Sequence, residues 1–368
     1  MKVNLEVSKA DSFRAFYLFF VVHTLQIGAG LMGVPRILFL EAESDAWISI
    51  LVGGLYLHFI AWIMIKILRE YENADILGIQ TDLFGKVFGY ILGCAFVVYI
   101  FLILLTVIKN YIEVVQVFIF PEIPIWLMAL FLISLMVYAI LGGLRVVVGT
   151  CFLFFFLTVW LVFTIYKPIT YMDIGHFLPV FEASPTEILS GARQMTYSVL
   201  GMEVLLFVYP FVDNKKHVQL PVHLAVATTT FLVLLVTVVS IGYFSPYQLK
   251  ETVWATLSLF KIISFSMIER FDFIAVSLWM MVVLPNVILF SWILQQSLHR
   301  LFRINKKKSL YGIGILIFFS SILLEYRLDI NRLTDITAKV GFYLVFIYPV
   351  FVYLALLIRK GWRKGRSL

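Results

Sequence analysis

The residues whose types and spacing promise chemistry lie in two short stretches. The first is LQIGAGLMGVPR, Leu25 to Arg36, which carries Gly28, Gly30 and Gly33 and then Pro35. The second is ILSGARQMTYSVLGMEVLLFVYPF, residues 188–211. It sets Thr196, Tyr197 and Ser198 beside Gly201, adds the carboxylate of Glu203, and closes at Pro210. Glycine makes non-helical backbone cheap and contributes no packing. Each stretch sits in a long apolar segment, where a helix crossing lipid ought to run unbroken. Interrupted backbone is tolerated at that depth only where protein or a wet cavity satisfies its polar groups. Two such interruptions therefore form a candidate ligand site of the kind built from discontinuous helices. The alternative is a pair of glycine faces for close helix packing.

The two breaks offer opposite chemistry. If the first segment enters from the cytoplasm and breaks near Gly28–Gly30, the N–H groups of Ala29 to Met32 begin a new half-helix. They point into the site with the positive end of the helix dipole behind them, which suits a carboxylate. The other segment enters from outside, so its first half ends near Tyr197–Leu200 with unpaired carbonyls, which suit an ammonium group. One site with both ends fits a zwitterionic amino acid. Glu203 is the most informative charge, because an ionisable group at membrane depth costs roughly 2.5–3.5 kcal/mol by insertion scales. It can bind a ligand amine, carry a proton or pair with a basic side chain. Arg193 falls across the break, nearer the outer interface. His23 and His58 read as hydrogen-bonded packing residues. Asn286, after Pro285, marks a kink, and Tyr99 lines the cavity.

The elements that must position these residues are membrane helices. Of 368 residues, 62% are hydrophobic and only 14% charged, with apolar runs repeating at the length a bilayer core demands. We expect ten spans, near residues 13–40 (broken at 28–30), 46–68, 86–108, 124–142 and 146–166. The second five fall near 187–211 (broken at 198–201), 219–244, 272–298, 310–325 and 339–358. Residues 109–120 break the apolar run with Glu113 and Gln116 and read as an interfacial helix. Residues 167–186, 245–271 and 326–338 read as longer outer connections, the second containing a re-entrant or interfacial helix in WATLSLFKIISF. The broken spans open the two halves, 11–166 and 187–360, of one transmembrane domain. This is a five-plus-five inverted repeat of the leucine-transporter kind, all-α and polytopic.

Charge sets the orientation. The net charge is +7, but Lys and Arg sit in loops and near the C-terminus instead of forming a nucleic-acid face. With the N-terminus in the cytoplasm, the inner loops hold about twice as many basic residues as the outer ones, so both termini are expected in the cytoplasm. The basic start before the first apolar run reads as a retained first helix, since the run is long and no small-residue cleavage site follows. Cys94 and Cys151 both fall within spans, against a disulfide framework.

Other features narrow the function. Span eight offers Ser277 and Ser291, too far apart for a sodium site. Span five lacks the lysine that replaces sodium in proton-coupled transporters. There is no nucleotide-binding loop, metal-ligand cluster or nucleophile–base motif, so no enzyme, metal or cofactor is expected.

Four stretches together resemble one family: LQIGAGLMGVPR (25–36), HFLPVFE (176–182), GMEVLLFVYPFV (201–212) and ERFDF (269–273). They are similar to the signature segments of the spore germination permeases, the B subunits of Ger-type germinant receptors, in the amino acid–polyamine–organocation superfamily. The resemblance implies a multi-pass protein of the spore inner membrane. It also implies assembly with an A subunit and a lipoprotein C subunit, and recognition of a germinant such as an amino acid or a sugar. Carried onto this chain, the ligand contacts are Gly28, Ala29 and Gly30, with Tyr197, Ser198, Leu200, Gly201 and Glu203 opposite. Ile27 and Val199 line the site, and Gln26 and Met202, where the chain departs from the family, tune ligand choice. Pro179 to Glu182 and Glu269 to Asp272 become loop and helix-start anchors or subunit contacts. The leading expectation is a germinant sensor. The alternative is a secondary amino-acid transporter, proton- or sodium-coupled, and a third reading is a channel opened by the partners.

Overall fold

The computed structural model describes residues 3–264 and 270–365, with side chains to residue 361. Helices account for 82% of it, because in lipid a helix satisfies its own backbone. The first half comprises α1 (Leu18–Gln26), α2 (Gly30–Ala42), α3 (Ala46–Arg69), α4 (Ile76–Phe118), α5 (Ile125–Leu141) and α6 (Leu144–Thr158). Two single turns, α7 (Leu161–Thr164) and α8 (Tyr166–Ile169), continue it. The second half comprises α9 (Pro185–Ser198), α10 (Val204–Val208), α11 (Gln219–Tyr243), α12 (Pro246–Glu251), α13 (Ala255–Phe260), α14 (Phe271–Phe302) and α15 (Lys306–Leu323). The last helical run is α16 (Arg327–Gly341), a π turn over Phe342–Ile347, and α17 (Tyr348–Gly365).

Among the described residues, six helical segments are long and apolar enough to cross a membrane: Gly30–Arg69, Ile76–Phe118, Leu144–Ile169, Lys215–Tyr243, Phe271–Phe302 and Arg327–Gly361. In the first of them α2 and α3 are joined by one 3-10 turn. Ala15–Gln26 and Ile125–Leu141 are shorter apolar helices.

Two expected boundaries change. Residues 109–118 do not lie along the interface; they are the last turns of α4. From the kink at Gly85 to Phe118 the helix runs about 50 Å, well beyond the hydrocarbon core. Its polar end is accommodated by protein: Lys109 Nζ donates to the Ser321 carbonyl (3.1 Å), and Glu113 pairs with Arg327 (3.0 Å). Residues 327–338 are not a connection but α16, whose Thr337 and Thr334 meet Thr106 and Asn110 of α4. The 245–264 stretch folds inward as α12 and α13, with Ala255, Leu257, Leu259 and Phe260 buried.

The helices gather into two packs. One contains α1, α2, α3, α9 and α11; the other is built on α14 against α4, with α5 and α15 behind. Helix α6 touches both through α1 and α14. The two chain ends meet at one end of the bundle, here called the termini face. Leu5 N–H donates to Asn73 O (2.9 Å), and Phe13 exchanges backbone bonds with Phe211 and Asp213 (3.0 and 2.9 Å). Arg359 and Lys360 pair with Asp82 and Glu70 at the same end (2.5 and 2.6 Å).

Candidate functional site

The first helix breaks where its glycines begin. Helix α1 stops at Gln26, Ile27 is extended (φ −105°, ψ 107°), and α2 starts at Gly30. The sixth breaks over Val199–Glu203, between α9 and α10, with Gly201 at φ +135°. That conformation and close backbone contact both demand glycine. A Cβ on Gly201 would overlap the carbonyl of Leu25, and one on Gly30 would stand 2.5 Å from the carbonyl oxygen of Ser198. The two breaks thus face each other, backbone against backbone.

Their polar groups are largely unspent. Among the described residues, no hydrogen-bond acceptor meets the N–H groups of Gly28, Ala29, Gly30 or Leu31, while Met32 N–H donates to Ala29 O (3.1 Å). The free donors are therefore one residue earlier than the spacing suggested. Opposite them, Met195 O accepts from Val199 N–H (3.2 Å), and the carbonyls of Tyr197 and Ser198 receive no backbone donor among the described residues. Gly30 is exposed, and Tyr197 and Ser198 are partly so. Ile27, Gly28, Ala29 and Val199 to Glu203 are buried. The gap is thus a narrow seam, exposed at Gly30 on the side away from the termini face and closed toward it where Leu25 meets Gly201.

The other site residues divide between the gap and its supports. Glu203 is fully buried, with both carboxylate oxygens engaged by the protein: Oε2 accepts from Gly201 N–H (2.8 Å) and Oε1 from the Tyr99 hydroxyl (2.6 Å). It caps the break from within and ties it to α4. Tyr99 is fully buried behind it instead of lining a cavity. Leu200 packs beside Gly341 and is buried. Gln26 turns to α11, where its Oε1 accepts from Thr229 Oγ1 (3.1 Å), itself 3.0 Å from His23 Nδ1. Arg193 donates to the Tyr197 hydroxyl (2.7 Å), and both lean on Phe342, forming one rim of the gap.

Three supports escaped the sequence reading in whole or part. Asn286 Nδ2 donates to the Ile27 carbonyl (3.1 Å), so this residue satisfies the broken end of α1 in addition to following Pro285. Thr256 Oγ1 donates to Leu31 O (2.8 Å). Leu31 O is free because Pro35, four residues on, has no N–H, and this fixes α13 onto α2. The signal for Asn286 was a lone amide inside an apolar run; Thr256 shares its run with Ser258 and had no such signal. The third is Thr229, indistinguishable by sequence from its neighbours Thr228 and Thr230.

The expected hollow is displaced. A cavity of about 300 Å³ lies beside the first break, not between the two, lined by Ile27, Leu31, Phe155, Phe260 and Trp279 with His23 in its wall. No residue of α9 or α10 lines it. Ser277 is exposed and Ser291 donates to Met136 Sδ (2.7 Å), so neither approaches the first break.

The remaining signature segments are anchors. Phe181 and Ala183 N–H both donate to the buried Asp45 carboxylate (2.8 and 3.0 Å), and Pro179 O accepts from Ser44 (3.0 Å), which ties 179–183 to the α2–α3 turn. Arg270 forks onto Asp272 at the start of α14 (2.9 and 3.1 Å). Glu269 lies outside the described residues.

Comparison with known proteins agrees with this fold. MhsT, a LeuT-fold transporter solved in complex with L-phenylalanine, superposes with a TM-score of 0.61 at 16% identity, covering 96% of this chain and 99% of that one. This shows the all-α fold with discontinuous first and sixth helices. Spore germination protein GerQB of Bacillus cereus is 35% identical over 92% of this chain and 94% of its own length. Spore germination protein A2 of Bacillus subtilis (strain 168) is 24% identical over 92% and 94%. The model of the family described as spore germination protein matches residues 13–330. A multi-pass membrane chain with paired helix breaks, matched over most of its length by such relatives, belongs to the spore germination permease family.

Proposed function

We propose that this chain is the membrane-embedded germinant-sensing B subunit of a spore germination receptor. It binds a small nutrient, an amino acid before a sugar, between the two helix breaks. One observation carries this reading: at the exposed Gly30 the first break, with the N–H groups of Gly28 to Leu31, faces the carbonyls of Tyr197 and Ser198, and among the described residues none of these groups has a backbone partner. Donors at a helix N-terminus favour a carboxylate, and carbonyls at a helix C-terminus favour an ammonium group. Glu203, Gln26 and Leu200 act through the shape of the breaks, and Glu203 reaches a ligand amine only by releasing Gly201. The repeat halves, 11–166 and 187–360, each contribute one break.

In this reading the termini face is cytoplasmic, the gap opens to the outside of the spore inner membrane, and germinant favours a closed, occluded state. A ligand shifts such a balance only by its difference in affinity between the states. The A subunit and the lipoprotein C subunit read the change. The activity is not enzymatic.

The test is germinant-dependent germination of spores carrying Gly28→Ala. A Cβ there meets only Asn286 Nδ2, at 2.9 Å, the far end of a side chain. The chain should accumulate normally, and the germinant concentration for half-maximal response should rise about tenfold or more. An unchanged response removes the site. The likeness to MhsT supports a second reading, secondary transport. Gradient-driven accumulation of labelled amino acid in proteoliposomes containing this chain alone would establish it.

A further inference from the structure

The termini face holds a second concave site, distant from the helix breaks. It has a volume of about 420 Å³ and lies between the start of the long limb of α4 and the end of α14. Its wall includes Thr81, Lys86, Tyr90, Arg300 and Arg303. Gly85, at φ +83°, bends α4 between Thr81 and Lys86 and so opens the hollow. Arg303 ends α14 in the left-handed conformation, which turns the chain back toward α15.

The charges there are unbalanced. Arg300 is buried and paired with Asp75 (2.5 Å). Lys86 and Arg303 are exposed, and among the described residues neither has an acidic partner. From this basic mouth an apolar flank runs along α4: Val87 is 71% exposed, Phe88 68% and Ile91 57%. Such residues face lipid in a membrane protein. Tyr90, set edge-on to Phe302 (5.7 Å), stands between the two surfaces, as interfacial aromatic residues do.

We propose that this pocket binds the phosphate of an anionic glycerophospholipid from the leaflet at the termini face. Lys86 and Arg303 hold the phosphodiester and the Val87–Ile91 flank receives an acyl chain. Guanidinium and ammonium groups recognise phosphate oxygens, and basic pockets between transmembrane helices suit acidic headgroups. The same two cations would also attract free inorganic phosphate, but the apolar flank adjoining them favours a lipid. The bound headgroup would brace the joint where Arg300 meets Asp75.

The experiment is native mass spectrometry of the full chain released from vesicles holding equal phosphatidylglycerol and phosphatidylcholine. The wild type should retain phosphatidylglycerol about tenfold more. The double variant Lys86→Gln, Arg303→Gln should lose that preference, and Lys307→Gln, Lys308→Gln, an equal charge change on α15, should keep it. Millimolar inorganic phosphate should leave the retained lipid in place. Equal retention of both lipids by the wild type overturns the proposal whatever the variants do. So does full retention by the first double variant, or equal loss in the second. Displacement by inorganic phosphate overturns the lipid in favour of a free anion.

Discussion

The carbonyl oxygen of Leu25 occupies the place where a side chain on Gly201 would begin, and Gly201 holds φ at +135° beside it. The two broken helices are therefore joined by backbone, with nothing between them at that level. Gly201→Ala meets both a conformation reserved for glycine, costing about 1–3 kcal/mol, and a clash that no rotamer relieves. Thermal unfolding of the purified chain should show a large fall in midpoint or no folded protein. Gly28→Ala should unfold close to wild type. Equal midpoints for the two variants would mean that the Leu25–Gly201 contact is not rigid.

Glu203 is held by two donors, and the variants should rank by how many they spare. Tyr99→Phe removes one hydrogen bond to a carboxylate and should destabilise by about 1–3 kcal/mol. Glu203→Ala leaves both Gly201 N–H and the Tyr99 hydroxyl without their acceptor and should cost more than Tyr99→Phe. Glu203→Gln keeps an oxygen for Gly201 N–H and should be the mildest. Chemical denaturation in detergent reads the order. Glu203→Ala with wild-type stability would show that the carboxylate is free to serve another role.

Asn286 donates to Ile27 O at the end of α1. Asn286→Ala withdraws the donor, and Asn286→Asp puts an acceptor against a carbonyl. Germination assays at graded germinant concentrations should show a several-fold weaker response for Ala and a weaker one still for Asp, with equal protein in the spore membrane. An Asp variant at least as responsive as the wild type would remove Asn286 from the site's support.

The Asp75–Arg300 pair is buried on both sides, with side chains 6% and 8% exposed. Removing one partner of such a pair typically costs about 3–5 kcal/mol. Asp75 also caps the helix start by accepting from Gly78 N–H (2.9 Å). Asp75→Ala should therefore destabilise strongly, and adding Arg300→Met should recover part of the loss. Hydrogen exchange should rise first at 70–84, where the N-terminal segment is attached. No recovery in the double variant would show that the cap dominates the pair.

Much of the fold is legible in the chain itself. Apolar runs at bilayer length, glycines and a proline inside the first run, and basic residues clustered in loops are local properties. Transfer energetics and backbone sterics act on each run separately, so the broken first and sixth helices could be placed within a few residues. The interfacial reading of 109–120 failed because polarity alone cannot distinguish a helix leaving the bilayer from one lying on it; Ser321 and Arg327 receive Lys109 and Glu113 only after α15 and α16 arrive.

What the tertiary structure decided is where each polar group spends its bonds. Glu203 had three open roles by sequence, and the fold gave both its oxygens to Tyr99 and Gly201. Gln26 reads by sequence as a ligand contact; the fold turns its Oε1 to Thr229, distant in the chain, where either neighbouring threonine offers the same hydroxyl, and leaves its Nε2 without a partner among the described residues. The cavity formed beside the first break and not between the two, since its walls beyond α1 and α2 come from α6, α7, α11, α13 and α14 and from neither α9 nor α10. A hydrogen bond or a hollow depends on atoms brought together from remote segments, and no local pattern records which of several equivalent donors will be the one within 3 Å.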